Sequence, residues 1–163
     1  MSSKKTLNTK NLEALGAQRL AELLIEISTG DAAAQRRLRL ELAGAESPDE
    51  AAKEVRKRLT VIGRSRSFVN WQNRRVLMEN LETQRRAIVE QVAKADAIEA
   101  LDLMWRFMAL ANPIFARCDD SSGAVIGIFH AASTDPGAIA RAARTDPYKL
   151  ADQTFEALRR CSG

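Results

Sequence analysis

Residues 96–110, DAIEALDLMWRFMAL, decide the fold of this chain. Asp96 and Glu99 form a capping box, the pattern that starts an α-helix. Apolar residues then recur at helical spacing on more than one side, which predicts a helix at the centre of the core. These residues are Leu101, Leu103, Met104, Trp105, Phe107, Met108 and Leu110.

Helix start signals recur along the rest of the chain. Ser47 and Glu50 form a second capping box, with Pro48 at the first helical position. The longest helix is expected from about residue 71 to residue 93, where apolar residues keep the helical spacing. We count about nine helical segments joined by short turns and find no convincing strand. The sequence therefore predicts an all-α fold.

Short connections predict that consecutive helices pack antiparallel. The expected architecture is an irregular multi-helix bundle or a short α-solenoid of antiparallel helix pairs. The sequence has no repeat of fixed period that would place it in a known repeat family. The solenoid alternative therefore depends only on the apparent pairing of consecutive helices. We expect one all-helical domain over residues 1–163, with an N-terminal sub-bundle at about 8–94 and a C-terminal helix-pair region at about 95–163.

Length and composition place the chain among soluble globular proteins. A chain of 163 residues can bury a core without a disulfide or a metal ion. No apolar run approaches the ~20 residues that span a bilayer, and the first residues lack the apolar stretch of a secretory signal. Cys118 and Cys161 show no metal-binding or redox spacing. These features predict a cytoplasmic protein with reduced thiols and no membrane partner.

Charge is distributed unevenly along the sequence. The segment from Lys53 to Arg75 contains eight basic residues and one acidic residue, a net charge of +7. The stretch from Ala95 to Asp135 carries a net charge of −4. A basic middle of this kind is a candidate contact for nucleic acid, for another polyanion or for a protein partner.

Two interpretations of the basic segment remain open. In the first, the cations bind phosphates while Phe68 and Trp71 stack on bases. In the second, the cations form a solvated helix face and the two aromatic residues belong to the core. The sequence around these residues matches no known nucleic-acid-binding motif. The candidate contact residues are Lys53, Arg56, Lys57, Arg64, Arg66, Arg74 and Arg75.

The acidic loop 119–122, DDSS, also has two interpretations. Its carboxylates and hydroxyls could hold a hard cation such as Mg²⁺. Alternatively, Asp120 or Ser121 caps the next helix through backbone N–H groups. A related structural hypothesis pairs Asp119 or Asp120 with Arg106, Arg64 or Arg66, which would fix the register between elements.

No catalytic constellation is visible elsewhere. His130 is the single histidine, and a general base would need a nucleophile and an orienting acid around it. Gly123 and Gly127 are not part of a phosphate-binding loop. We therefore expect no enzyme activity, no metal ion and no cofactor.

Four stretches of the chain resemble an uncharacterised family of bacterial proteins. The resemblance covers about half of the chain. It lies in the general residue pattern of whole segments and includes no catalytic motif. The family has no established function, so the resemblance implies no substrate and no catalytic residue. The stretches are KKTLNTKNLEALGAQRLAELLIE (4–26), EVRKRLTVIGRSRSFVNW (54–71), IVEQVAKADAIEALDLMWRFMALA (88–111) and DDSSGAVIGIF (119–129).

The leading functional hypothesis is a non-catalytic protein-interaction or scaffold module of helical-repeat type, because stacked helices present extended binding surfaces. Its partner would be another protein or a second copy of the chain. The alternative is binding of nucleic acid or another polyanion through residues 53–75. A third hypothesis, an unrecognised enzyme, would need a concave pocket that gathers Asp119, Asp120, His130 or a cysteine.

Overall fold

A computed structural model describes residues 6–144 and 146–161, without the side chains of Arg160 and Cys161. Helices make up 79% of the structure and the described residues form no strand, which confirms the all-α fold. The described residues form eight helices of at least eight residues, where the sequence predicted about nine helical segments, and those that follow residue 39 pack as a helical bundle. The elements are α1 (Thr9–Glu13), α2 (Ala17–Ser28), α3 (Ala32–Glu46), α4 (Pro48–Arg64), α5 (Trp71–Ala87), a π-helical turn (Ile88–Val92), α6 (Ala93–Ala95), α7 (Ala97–Met108), α8 (Ala111–Phe115), α9 (Ala124–Ala132), α10 (Asp135–Ala142) and α11 (Pro147–Cys161).

The chain forms two compact units that divide between Leu38 and Arg39, within α3. The described part of the first unit contains α1, α2 and the start of α3. There Asp31 caps α3, because its Oδ1 accepts the backbone N–H groups of Ala33 and Ala34 at 2.9 and 3.0 Å. The second unit contains the remaining helices. The sequence-based subdivision near residue 94 stays a prediction.

Helix α7 lies at the centre of the second unit, as residues 96–110 predicted. It packs against α4, α9, α10, α11 and the π-helical turn. One expectation about α7 was wrong. Trp105 is only partly buried and packs against the edge of the core, because it faces away from the most enclosed side of the helix. The α7 residues with 1% exposure or less are Ala100, Leu101, Leu103, Met104 and Phe107.

Both predicted capping boxes supply N-caps in the structure. The Ser47 hydroxyl accepts the backbone N–H of Glu50 at 3.1 Å, and Pro48 opens α4. The carboxylate of Asp96 accepts the N–H groups of Ile98 and Glu99 at 3.0 and 2.9 Å. These bonds satisfy donors that the first turn of a helix leaves unpaired, and they determine where α4 and α7 begin.

The longest helical stretch runs from Trp71 to Ala95 and contains a π-helical turn that the sequence did not predict. The turn begins at Ile88 and ends at Val92, and both of these side chains are buried in the core. It packs against α4 and α7. The π-helical turn and the short α6 that follows it both contact α7.

Among the described residues, no helix combines the length and the apolar character that a bilayer crossing requires.

Candidate partner-binding surface

The connection between α4 and α5 is held against the loop that follows α8. The backbone N–H of Val69 donates to the carbonyl oxygen of Arg117 at 2.7 Å. The N–H of Asp119 donates to the carbonyl oxygen of Val69 at 3.0 Å, so Val69 and Cys118 form an isolated parallel β-bridge. Two segments far apart in sequence are therefore joined by backbone hydrogen bonds.

Two arginine side chains strengthen this junction. Arg117 donates from its guanidinium to the carbonyl oxygens of Ser67 and Ile62, at 3.0 and 3.1 Å. Arg74 donates to the carbonyl oxygen of Asp119 at 3.0 Å. Hydrogen bonds from a charged donor are stronger than neutral ones. The junction thus limits the motion of the connection between α4 and α5.

Phe68 and Trp71 are on the surface of this junction. Each is 67% exposed, whereas Val69 between them is partly buried. The interpretation that placed these two aromatic residues in the core was wrong. Phe68 lies in the connection and Trp71 is the first residue of α5, so neither is on a helix face that packs against a neighbour.

Most cations of the basic segment are already engaged within the protein. Lys53, Lys57 and Arg75 each pair with a glutamate on the same helix. The hydrogen bond and the charge of Glu50 raise the pKa of Lys53. Arg56 reaches from α4 to α7, where it pairs with Glu99 and lies 3.6 Å from Asp102. Four of the eight basic residues between Lys53 and Arg75 are therefore paired with carboxylates.

Arg64 and Arg66 differ from these residues. Both are exposed, and neither side chain makes an ion pair or a hydrogen bond with the described part of the chain. Arg64 ends α4, and Arg66 lies two residues before Phe68. We call Arg64, Arg66, Phe68 and Trp71 the 64–71 surface.

The acidic loop has a capping geometry. Both carboxylate oxygens of Asp120 accept backbone N–H groups of α9, from Val125 and Ile126, each at 2.9 Å. Asp119 accepts the backbone N–H of Ser121 at 3.2 Å. Gly123, at a φ of 70°, provides the left-handed turn into α9.

The predicted ion pair between Arg106 and this loop is absent from the described chain. Arg106 instead donates to Asp102, one turn earlier on α7, at 2.7 Å. Arg64 and Arg66 do not pair with Asp119 or Asp120 either. The cation that does contact the loop is Arg74, and it binds a carbonyl oxygen rather than a carboxylate.

The remaining candidate groups stay dispersed. Burial raises the pKa of the Cys118 thiol, and the charge of Asp120 adds to the rise, so the thiol is protonated near neutral pH. His130 is exposed on α9. The described residues contain no group of three or more histidine, cysteine, aspartate or glutamate side chains placed to share a metal ion. The prediction for Cys161 concerns a side chain outside the described part.

Sequence reasoning missed the role of Arg117. Its acceptors, the carbonyl oxygens of Ile62 and Ser67, are 55 and 50 residues away in sequence. A backbone carbonyl is present at every residue, so no local pattern could single these two out. Only the approach of the loop after α8 to the end of α4 identifies them.

Comparison with known proteins gives one result that covers almost the whole chain. The profile of a family of unknown function, DUF6880, matches residues 2–161. No curated protein and no solved structure matches the chain significantly. The resemblance to an uncharacterised family is thereby confirmed, and the chain belongs to the DUF6880 family of unknown function.

Proposed function

We propose that this chain is a non-catalytic binding module that recognises a partner protein through the 64–71 surface. The observation that carries the proposal is the 67% exposure of both Phe68 and Trp71. Large aromatic residues and arginine are enriched among the residues that dominate protein–protein binding energy. A surface that combines two exposed aromatic side chains with two unpaired arginines has this composition.

The junction with the loop after α8 supports the same proposal. Binding costs conformational entropy when a contact segment must become ordered. Here the β-bridge at Val69 and the hydrogen bonds of Arg117 already hold the segment that carries Phe68. A partner would therefore meet a surface that needs little further ordering.

Site-specific photo-crosslinking tests the proposal. The photoreactive residue p-benzoylphenylalanine is placed at Phe68 or Trp71 in cells of the source organism, and at the exposed apolar positions Ile98 and Ile126 as controls. We expect a discrete protein adduct from positions 68 and 71 and not from the controls. Mass spectrometry then identifies the partner or shows a second copy of this chain.

The purified partner provides the second half of this test. It should bind the intact chain and lose at least ~10-fold in affinity when Phe68 and Trp71 are both replaced by serine. Equal adducts at the control positions, or no adduct at positions 68 and 71, would contradict the proposal.

A second candidate function is binding of single-stranded nucleic acid. Arg64 and Arg66 have no described partner, and the two exposed aromatic side chains could stack on bases. A salt titration with random-sequence single-stranded DNA, RNA and duplex DNA tests it, because phosphate contacts make affinity fall as salt rises. Absence of binding even at low salt would remove this candidate.

A further inference from the structure

The charged residues at and around the 64–71 surface indicate which kind of partner would fit it. We infer that this surface binds an acidic protein segment that also carries an apolar side chain, and that it does not bind nucleic acid. The inference rests on the proposed function, since it names the kind of partner for the same surface.

The first argument is the number of available cations. Of the eight basic residues between Lys53 and Arg75, Arg64 and Arg66 are the two without a described hydrogen bond or ion pair. Arg58 donates to Asn80, and Arg74 donates to a carbonyl oxygen. Proteins that bind single-stranded nucleic acid use a positively charged groove, and one binding domain covers ~4–16 nucleotides. Arg58 and Arg74 keep their charge, but these hydrogen bonds go to neutral oxygens of the protein, so Arg64 and Arg66 are the two guanidinium groups of the described segment whose donors remain available, too few to line such a groove.

The second argument is the position of the carboxylates. Glu50, Glu54 and Glu79 each lie within 4 Å of a basic side chain of the same segment. A phosphate backbone that followed the segment would approach these carboxylates as well as the cations. Repulsion from them opposes binding of an extended polyanion, whereas a short ligand at Arg64 and Arg66 avoids them.

The third argument is the spacing of the four side chains. Arg64 and Arg66, and likewise Arg66 and Phe68, are two residues apart, so the Cα atoms of each pair lie within ~7 Å, and the Cα atom of Trp71 lies within ~11 Å of that of Phe68. Arginine forms bidentate hydrogen bonds with a carboxylate, and aromatic faces pack against aliphatic or aromatic side chains. One short segment that carries both kinds of group could satisfy the whole surface.

Fluorescence anisotropy with defined probes tests the inference on the intact chain. The main probe is a labelled peptide in which Asp and Glu alternate with Leu and Phe. The comparison probes replace its acids by Asn and Gln, or its apolar residues by Ser. Labelled oligo(U) and oligo(dT) represent nucleic acid. We expect the acidic-apolar peptide to bind at least ~10-fold more tightly than each other probe.

Paired variants connect this binding to the surface. Arg64→Glu with Arg66→Glu should weaken binding of the acidic-apolar peptide at least ~10-fold. The control, Lys94→Glu with Arg141→Glu, makes the same charge change at exposed cations that also lack a described partner, and it should leave affinity within ~2-fold. Circular dichroism and thermal unfolding confirm that each variant is folded.

The outcomes separate the inference from the proposed function. No binding of the acidic-apolar peptide, equal binding of its neutral counterpart, or equal loss in the control variant would overturn the inference. Preferential binding of an oligonucleotide that Phe68→Ser with Trp71→Ser abolishes would also overturn it, while the surface itself would stand. The proposed function fails separately, if positions 68 and 71 give no specific adduct in the crosslinking experiment.

Discussion

Two groups of aromatic residues have opposite environments in this protein. Phe107 on α7 contacts Phe129 on α9 with ring centroids 5.4 Å apart, and Phe115 contacts Phe129 at 5.6 Å. Phe68 and Trp71, in contrast, are 67% exposed. The first group lies where α7, α8 and α9 meet, and the second lies at a connection between helices. An aromatic side chain therefore stabilises the core where neighbouring helices pack around it, and it remains available to a partner where no neighbouring element covers it.

The largest expected effect concerns the core group. Phe107→Ala should lower the free energy of unfolding by about 3–5 kcal/mol, because it removes a fully buried ring and leaves a cavity. Urea denaturation followed by circular dichroism measures the loss. Phe68→Ala is the matched control, with the same change at an exposed position. A similar loss in both variants would show that the two groups do not differ in burial.

Trp105 lies between these extremes, because it is partly buried against the edge of the core. Trp105→Ala should cost about 1–3 kcal/mol, less than Phe107→Ala, since the surrounding solvent fills part of the space that the indole leaves. The same denaturation measurement applies, with Trp71→Ala as its exposed counterpart. A loss as large as that of Phe107→Ala would place Trp105 in the central core after all.

Arg117 links the surface group to the rest of the fold. Arg117→Met removes the hydrogen bonds to Ile62 and Ser67 but keeps an apolar side chain, so we expect a loss of about 1–2 kcal/mol. Arg106→Met is the control, because an exposed pair within one helix contributes only about 0.3–0.5 kcal/mol.

Hydrogen exchange gives a local measure of the same contact. In Arg117→Met, the backbone N–H of Val69 should exchange faster, since the connection that contains it loses two supporting bonds. Unchanged exchange at Val69 would mean that the β-bridge alone holds the connection.

The smallest expected effect on stability concerns the 64–71 surface. Phe68→Ser with Trp71→Ser should change the free energy of unfolding by less than ~0.5 kcal/mol per site, because both side chains are already in contact with water. Thermal unfolding measures this change, and Ile98→Ser with Ile126→Ser is a control at comparably exposed positions. A loss of several kcal/mol would assign Phe68 and Trp71 to the fold instead of to a partner.

Local sequence patterns predicted the helices well and the surface poorly. The caps at Ser47 and Asp96 were predictable because each depends on residues no more than three positions apart. The exposure of Phe68 was not, since a single aromatic residue in a connection has no periodicity from which burial could be read. The partners of Arg56 and Arg106 were also missed, because an arginine can reach several carboxylates at comparable distance.

The sequence by itself determined the all-α fold, the starts of α4 and α7 and the central position of α7. These properties depend on the helical spacing of apolar residues and on hydrogen bonds between residues close in sequence. Both can be identified directly from the order of the residues. Only the tertiary structure decided which arginines contact distant segments and which aromatic residues face water. The arginine contacts join residues 43 to 55 positions apart, such as Arg56 with Glu99 and Arg117 with Ile62, and only packing of the helices brings these residues together.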